Sequence, residues 1–142
     1  GLTSAPAIAD YAAELLAADG LDLTEKDSYI DSREKVHFNR LSAAERKALI
    51  EKNPAYGRVI CRCETVTEGE ILDAIHSPIP PVSVDGIKRR TGAGMGRCQG
   101  GFCGPRVVDL LARELGVSPL TILQDRDGSE ILTAYTKGEV RA

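Results

Sequence analysis

Cys61-Arg-Cys63 and, after a gap of 34 residues, Cys98-Gln-Gly-Gly-Phe-Cys103 hold all four cysteines of the chain. The second pair lies in a glycine-rich turn, Thr91-Gly-Ala-Gly-Met-Gly-Arg-Cys-Gln-Gly-Gly-Phe-Cys-Gly-Pro105. Four thiols in two close pairs, C-x-C and C-x4-C, are the ligand inventory of one tetrathiolate metal centre. The rest of the sequence reads as the frame that holds it.

The composition sets the size of that frame. With 142 residues, 42% hydrophobic, 27% charged and a net charge of -3, the chain fits one modest globular domain plus an appendage and is not a disordered composition. It has no Trp and only two Phe, so its core is built from Leu, Ile, Val and Ala, which suits small, closely packed helices. No apolar run reaches the eighteen or so residues a membrane span needs, and the N-terminus lacks the layout of a signal peptide. A cytoplasmic protein is expected, in which clustered thiols are metal ligands rather than a disulfide framework. The mild acidity makes no case for nucleic acid. The chain opens on Gly-Leu-Thr without Met, as though cut from something longer, and it is expected to be a fragment.

Working outward from the cysteines, residues 56–125 are expected to form the metal-binding domain. Arg58-Val-Ile60 is a short extended approach to Cys61. Thr67-Glu-Gly-Glu70 is a capping box, in which Thr and the Glu three residues on satisfy each other's backbone donors, and it starts a helix through Ile71, Leu72 and Ile75. Pro78, Pro80 and Pro81 break that helix. Ser83 to Thr91 is a further helix with Val84 and Ile87 inward. Pro105 to Leu115 is the clearest helix, lined by Val107, Val108, Leu111 and Leu115 and ended by Gly116; Ser118-Pro119 caps a last short one.

Upstream, residues 1–20 read as a helix, with Ser4 supplying a cap oxygen, Pro6 in the first turn, and Ile8, Tyr11, Ala12, Leu15 and Leu16 forming an apolar face that wants a partner. Residues 21–55 read as a linker carrying one short helix, capped by Ser42 and Glu45 and closed by Asn53-Pro54. Residues 126–142 are a poorly specified tail.

The thiol pattern bears on the metal. A four-sulfur site points to zinc or an iron–sulfur cluster, and C-x-C is tighter than the C-x2-C to C-x4-C knuckles usual for zinc. A [2Fe–2S] core with four thiolates is anionic, and residues 84 to 113 carry six cations (Lys88, Arg89, Arg90, Arg97, Arg106, Arg113) against two acids (Asp85, Asp109), a local excess of four. The glycines leave backbone N–H groups free to reach sulfur, and Cys103 precedes a helix whose N-terminal partial charge favours thiolate. Against these stand blander readings. A phosphate cradle is disfavoured, because Gly92-x-Gly94-x-x-Arg97 misses the last glycine of its motif. Lys88 to Arg90 is, by itself, a solvated helix face or docking patch. His37 and His76 are surface residues rather than ligands. A C-x4-C disulfide switch would leave Cys61 and Cys63 unexplained. Spacing and softness favour the cluster over zinc.

From about Tyr56 to Gly116 the chain resembles the bacterioferritin-associated-ferredoxin-like [2Fe–2S] domain. The likeness lies in Val59-Ile-Cys-Arg-Cys-Glu-Thr-Val-Thr-Glu68, Gly86-Ile-Lys-Arg-Arg-Thr91 and Gly94-Met-Gly-Arg-Cys-Gln-Gly-Gly-Phe-Cys-Gly-Pro-Arg106. The resemblance implies a mostly α, small helical domain with a glycine-rich ligand loop, in which Cys61, Cys63, Cys98 and Cys103 hold the [2Fe–2S] cluster. Gly1 to Ala9 is similar to the closing helix of the FAD domain in the glycerol-3-phosphate dehydrogenase and D-amino-acid oxidase superfamily. Phe38 to Arg46 and Asn53 to Gly57 are similar to the segment after that helix in bacterial FAD-dependent glycerol-3-phosphate dehydrogenases. The resemblance implies an electron-transfer module that lacks catalytic residues of its own. Its partners would be an N-terminal FAD domain, with FAD only in the parent, and an electron acceptor the sequence does not identify. The alternatives are a structural zinc or redox-sensing site, or the module of an amino-acid dehydrogenase.

Overall fold

The computed structural model describes residues 1–30 and 32–137. Two compact units result, Gly1–Glu34 and a larger one that starts at Lys35. In the first, α1 (Ala5–Ala18) carries Pro6 in its opening turn, as the sequence suggests. Ser4 does not cap it: its backbone is already helical, and its hydroxyl donates to the Gly1 carbonyl at 3.3 Å. Ile8, Tyr11, Leu15 and Leu16 stand exposed on this helix.

The larger unit is mostly helical around one small hairpin: α2 (Ala43–Lys52), β1 (Val59–Cys61), β2 (Val66–Thr67), α3 (Glu68–Ile75), α4 (Val84–Thr91) and α5 (Gly104–Leu115). Both expected capping boxes form. In α2, Ser42 and Glu45 exchange bonds, the Ser42 N–H donating to the carboxylate at 2.8 Å. In α3, the Thr67 N–H donates to Glu70 at 2.8 Å and the Thr67 hydroxyl oxygen accepts from the Glu70 N–H at 3.3 Å. The Ser83 hydroxyl oxygen accepts from Gly86 N–H at 3.1 Å to start α4, and Gly92 ends it in the left-handed region at φ 83°.

The apolar faces of α3, α4 and α5 meet in one core. Ile71, Ile87 and Leu111 are fully buried there with Ile75, Val107, Val108 and Ile122. Burying side chains of this size contributes roughly 1.5–3 kcal/mol each, and this is what fixes α3 and α5 beside the cysteines. Cys61 and Cys103 belong to the same core. The cysteine site is therefore built on its edge.

Two features extend the unit beyond the helices the sequence marks. β1 pairs antiparallel with β2, placing Cys61 opposite Val66, so the extended approach to the first cysteine becomes a hairpin. Residues 38–57 are also folded. Phe38 is buried, its N–H donates to Glu70 at 3.1 Å, and the Arg46 guanidinium lies 5.2 Å over its ring. Tyr56 packs so closely on α3 that a Cβ at Gly69 would come within 2.6 Å of its ring. On the far side, Val84 and Asp85 N–H groups donate to the Leu123 and Gln124 carbonyls at 3.1 and 2.8 Å, tying the strand-like segment after Ile122 to the start of α4.

A buried carboxylate locks the helix starts to the hairpin. Glu68, at the first turn of α3, accepts from Arg58 before β1 and from Arg113 on α5 at 3.0 Å. The Arg58 guanidinium, and then Arg113, hold its carboxyl below the ordinary 4.5. A carboxylate depressed in the folded state stabilises the fold above its unfolded pKa, and the contribution is lost as pH falls through the folded value. Glu68→Gln is expected to lower unfolding stability by about 1–3 kcal/mol at pH 7. The gap to the parent chain, read by urea unfolding followed by circular dichroism, should narrow as the pH is taken below the ordinary carboxylate range. A gap that stays constant with pH would count against this role.

Candidate metal centre

Cys61 and Cys63 are placed by the hairpin. Cys61 ends β1 with its side chain in the core, 1% exposed, and Cys63 stands exposed in the turn two residues on. Thr65 takes a left-handed backbone at φ 54°, which closes the turn onto β2. The turn is also held from outside by Asn39, whose side-chain N–H donates to the Glu64 carbonyl at 3.3 Å. No sequence signal marked Asn39, because its partner is a backbone carbonyl 25 residues away.

Cys98 and Cys103 are placed by the loop between α4 and α5. It folds as consecutive turns, with Met95 N–H donating to the Gly92 carbonyl at 3.0 Å, Gln99 to Gly96 at 3.0 Å and Gly101 to Cys98 at 2.9 Å. The loop then leads into α5, with buried Cys103 at the helix's N-cap position. Gly96 is the point of contact with the hairpin. A Cβ built there would lie 2.1 Å from the Cys63 Cβ and 3.2 Å from its sulfur, a clash no rotamer relieves. Glycine at 96 is therefore what lets the loop lie against Cys63.

The four expected ligands are brought together. Cys61, Cys63, Cys98 and Cys103 line one cavity of about 370 Å³, together with Arg62, Phe102 and Arg106. They face it as two pairs. The Cys63 and Cys98 sulfurs are 3.8 Å apart, and Cys61 is the neighbour that acts on the Cys103 thiol. All four are free thiols. The donor set suits an anionic iron–sulfur core: four soft sulfur ligands, with guanidinium groups beside them.

The thiols differ in protonation. The Phe102 N–H, and further the neighbouring Cys63 and the Gly100 and Gly101 N–H groups, hold Cys98 below the ordinary thiol value. Cys103 goes the other way: burial, reinforced by Cys61, pushes it up to about 11. The expected benefit of the α5 N-terminus to Cys103 is thus outweighed by desolvation, and the backbone donors act on Cys98 instead. A metal core would supply the positive charge that a thiolate at Cys103 needs.

The local excess of cations is only partly at the cavity. Arg89 pairs with Asp125, and Arg113 with Glu68 and Glu114, so both belong to the scaffold. Of the six counted, Arg106 lines the cavity, whereas Arg62, which lay outside the counted window, lines it too. Phe102 was likewise unmarked. His76 bonds Glu114 at 2.9 Å, and neither it nor His37 lines the cavity. Among the described residues no helix is long and apolar enough to cross a membrane.

Residues 59–113 match the family described as the BFD-like [2Fe-2S] binding domain. The surrounding sequence resembles dehydrogenases. The chain is 48% identical over 142 residues to a glycerol 3-phosphate dehydrogenase of Caloramator mitchellensis, covering 99% of this chain and 30% of that protein. It is 38% identical over 95 residues to the HcnB component of a hydrogen cyanide synthase of Pseudomonas aeruginosa, covering 59% of this chain and 20% of that one. It is 36% identical over 66 residues to a component of the anaerobic glycerol-3-phosphate dehydrogenase of Escherichia coli, covering 46% and 12%. The chain thus spans less than a third of the length of these relatives. No solved structure matches it.

The contact at Gly96 gives a direct test. Gly96→Ala is expected to displace Cys63 and to cut bound iron and visible absorbance at least about tenfold, while the helical circular dichroism of the three-helix core is kept. Full iron content in the variant would show that the close approach is dispensable.

Proposed function

We propose that Cys61, Cys63, Cys98 and Cys103 ligate a [2Fe–2S] cluster, and that the chain is the electron-transfer part of a FAD-dependent dehydrogenase acting on glycerol 3-phosphate. The observation that carries the metal assignment is the grouping of the thiols. In a single tetrahedral tetrathiolate with metal–sulfur bonds of ~2.3 Å, all four sulfurs lie within ~3.8 Å of one another. Here Cys63 and Cys98 are 3.8 Å apart, while no group of three or more His, Cys, Asp or Glu among the described residues is spaced around one ion. Two pairs facing one cavity suit a binuclear core, two thiolates to each iron.

When bound, the cluster supplies a one-electron couple. The residues of the chain do the rest. Cys61 and Cys103 anchor it to the core, while Cys63 and Cys98 hold its outer side. The amides of residues 100–102 donate toward Cys98, and the guanidinium groups of Arg62 and Arg106 offset its negative charge. A reduced flavin holds two electrons, so the module would pass them on singly.

The substrate assignment rests on the extent of the likeness. The match to the glycerol 3-phosphate dehydrogenase runs through α1 and residues 21–55 as well as the cluster domain. We read residues 1–20 as the closing helix of an FAD domain, 21–55 as the connection, 56–125 as the cluster domain and 126–142 as a tail. The exposed apolar face of α1 supports the first of these. Matches to components of a hydrogen cyanide synthase and of an opine oxidase leave the module of an amino-acid-type oxidoreductase as the second reading.

As purified without oxygen, the chain is expected to be coloured and to carry about two iron and two sulfide. One zinc and no colour would sink the cluster. In the whole dehydrogenase, Cys98→Ser should abolish delivery to an external acceptor while substrate still reduces the flavin. Unchanged delivery would remove the relay.

A further inference from the structure

We propose that the mouth of the cysteine cavity is where electrons leave the module, and that the partner seated there is a one-electron carrier protein with an apolar contact centre ringed by carboxylates. The proposal rests on the cluster reading above and names the partner class which that reading leaves open.

The two thiol pairs differ in depth. Cys61 and Cys103 are 1% and 2% exposed, whereas Cys63 is exposed and Cys98 half-buried. The Cys63–Cys98 edge is therefore the short route to the surface. At that edge stands Phe102, a cavity-lining residue that is nevertheless 85% exposed. A single exposed apolar side chain is ordinary on a protein surface. This one lies between two cluster ligands and leaves a whole phenyl ring in water.

Charge supports the same reading. Arg62 and Arg106 also line the cavity, both on exposed residues, and among the described residues no carboxylate does. Neither enters an ion pair with a described residue, in contrast to Arg58, Arg89 and Arg113. Glu64 lies nearby against Gly96 but is not part of the lining. An exposed aromatic flanked by arginines is the composition of an interface centre, and its complement is apolar and acidic. A second copy of the chain would bring guanidinium against guanidinium, which disfavours self-association through this face. Each transfer moves one electron from the reduced cluster to one carrier, which is reduced; no bond or proton is exchanged. Two such events dispose of the two electrons of one flavin.

The test uses one carrier in two charge states. The full chain, purified with its cluster and reduced with dithionite, is mixed at low salt with native cytochrome c, which is rich in lysine, or with succinylated cytochrome c, in which those lysines bear carboxylates. The measured quantity is the ratio of oxidation rates, succinylated to native. Arg62→Glu with Arg106→Glu is expected to lower that ratio at least about tenfold, an effect that shrinks at high salt, whereas Lys47→Glu on α2 leaves it in place. Phe102→Ala should slow both reactions at an unchanged visible spectrum. If the glutamate pair does not retain the cluster, Arg62→Gln with Arg106→Gln is used, with a fall of at least about threefold expected. A smaller change from a cluster-bearing variant overturns the proposal, as does a dimer in sedimentation that Phe102→Ala dissolves. A chain that carries no iron overturns the cluster reading itself, and the surface with it.

Discussion

Everything at the cysteine site depends on two backbone segments touching with no side chain between them. The hairpin turn presents Cys61 and Cys63, the loop after α4 presents Cys98 and Cys103, and Gly96 is where they meet. A single methyl group there would occupy the place of the Cys63 Cβ. Close packing leaves little room to absorb such an overlap, so the glycine sets the distance between the two thiol pairs. The core of α3, α4 and α5 then holds both segments in place from beneath, since Cys61 and Cys103 are themselves core residues.

That arrangement puts solvation in competition with charge. Burial makes Cys103 a poor thiolate, while the Phe102 amide, and further Cys63 and the Gly100 and Gly101 amides, make Cys98 a better one. The same asymmetry separates an anchoring pair, packed into the core, from an outer pair at the surface. The cavity thus offers two sulfurs that the fold keeps dry and two that it leaves near water.

The cations illustrate how sequence neighbourhood can mislead. Lys88, Arg89 and Arg90 lie close to the cysteines along the chain, yet Arg89 serves Asp125 and none of the three lines the cavity. Arg113 is spent on Glu68 and Glu114. Arg62 faces the cavity although it sits in the other half of the site. Residues 38–57 make a similar point: read largely as a linker with one short helix, they pack onto the larger unit because Phe38 and Tyr56 find partners on α3.

Local signals in the sequence settled the helices of the larger unit and the four candidate ligands. Capping at Ser42 and Thr67 is a matter of atoms three residues apart, the glycine stop at 116 is a single-residue preference, and apolar spacing marks which face of each helix is inward. Ser4 was misread because the helical backbone already present at that residue turns its hydroxyl back to Gly1. Only the tertiary structure decided the pairing of Cys63 with Cys98, the second strand, the Asn39 brace and the exposure of Phe102. Each of these joins residues far apart in the chain or depends on what packs above them, and such contacts are fixed by three-dimensional packing that no short-range pattern encodes.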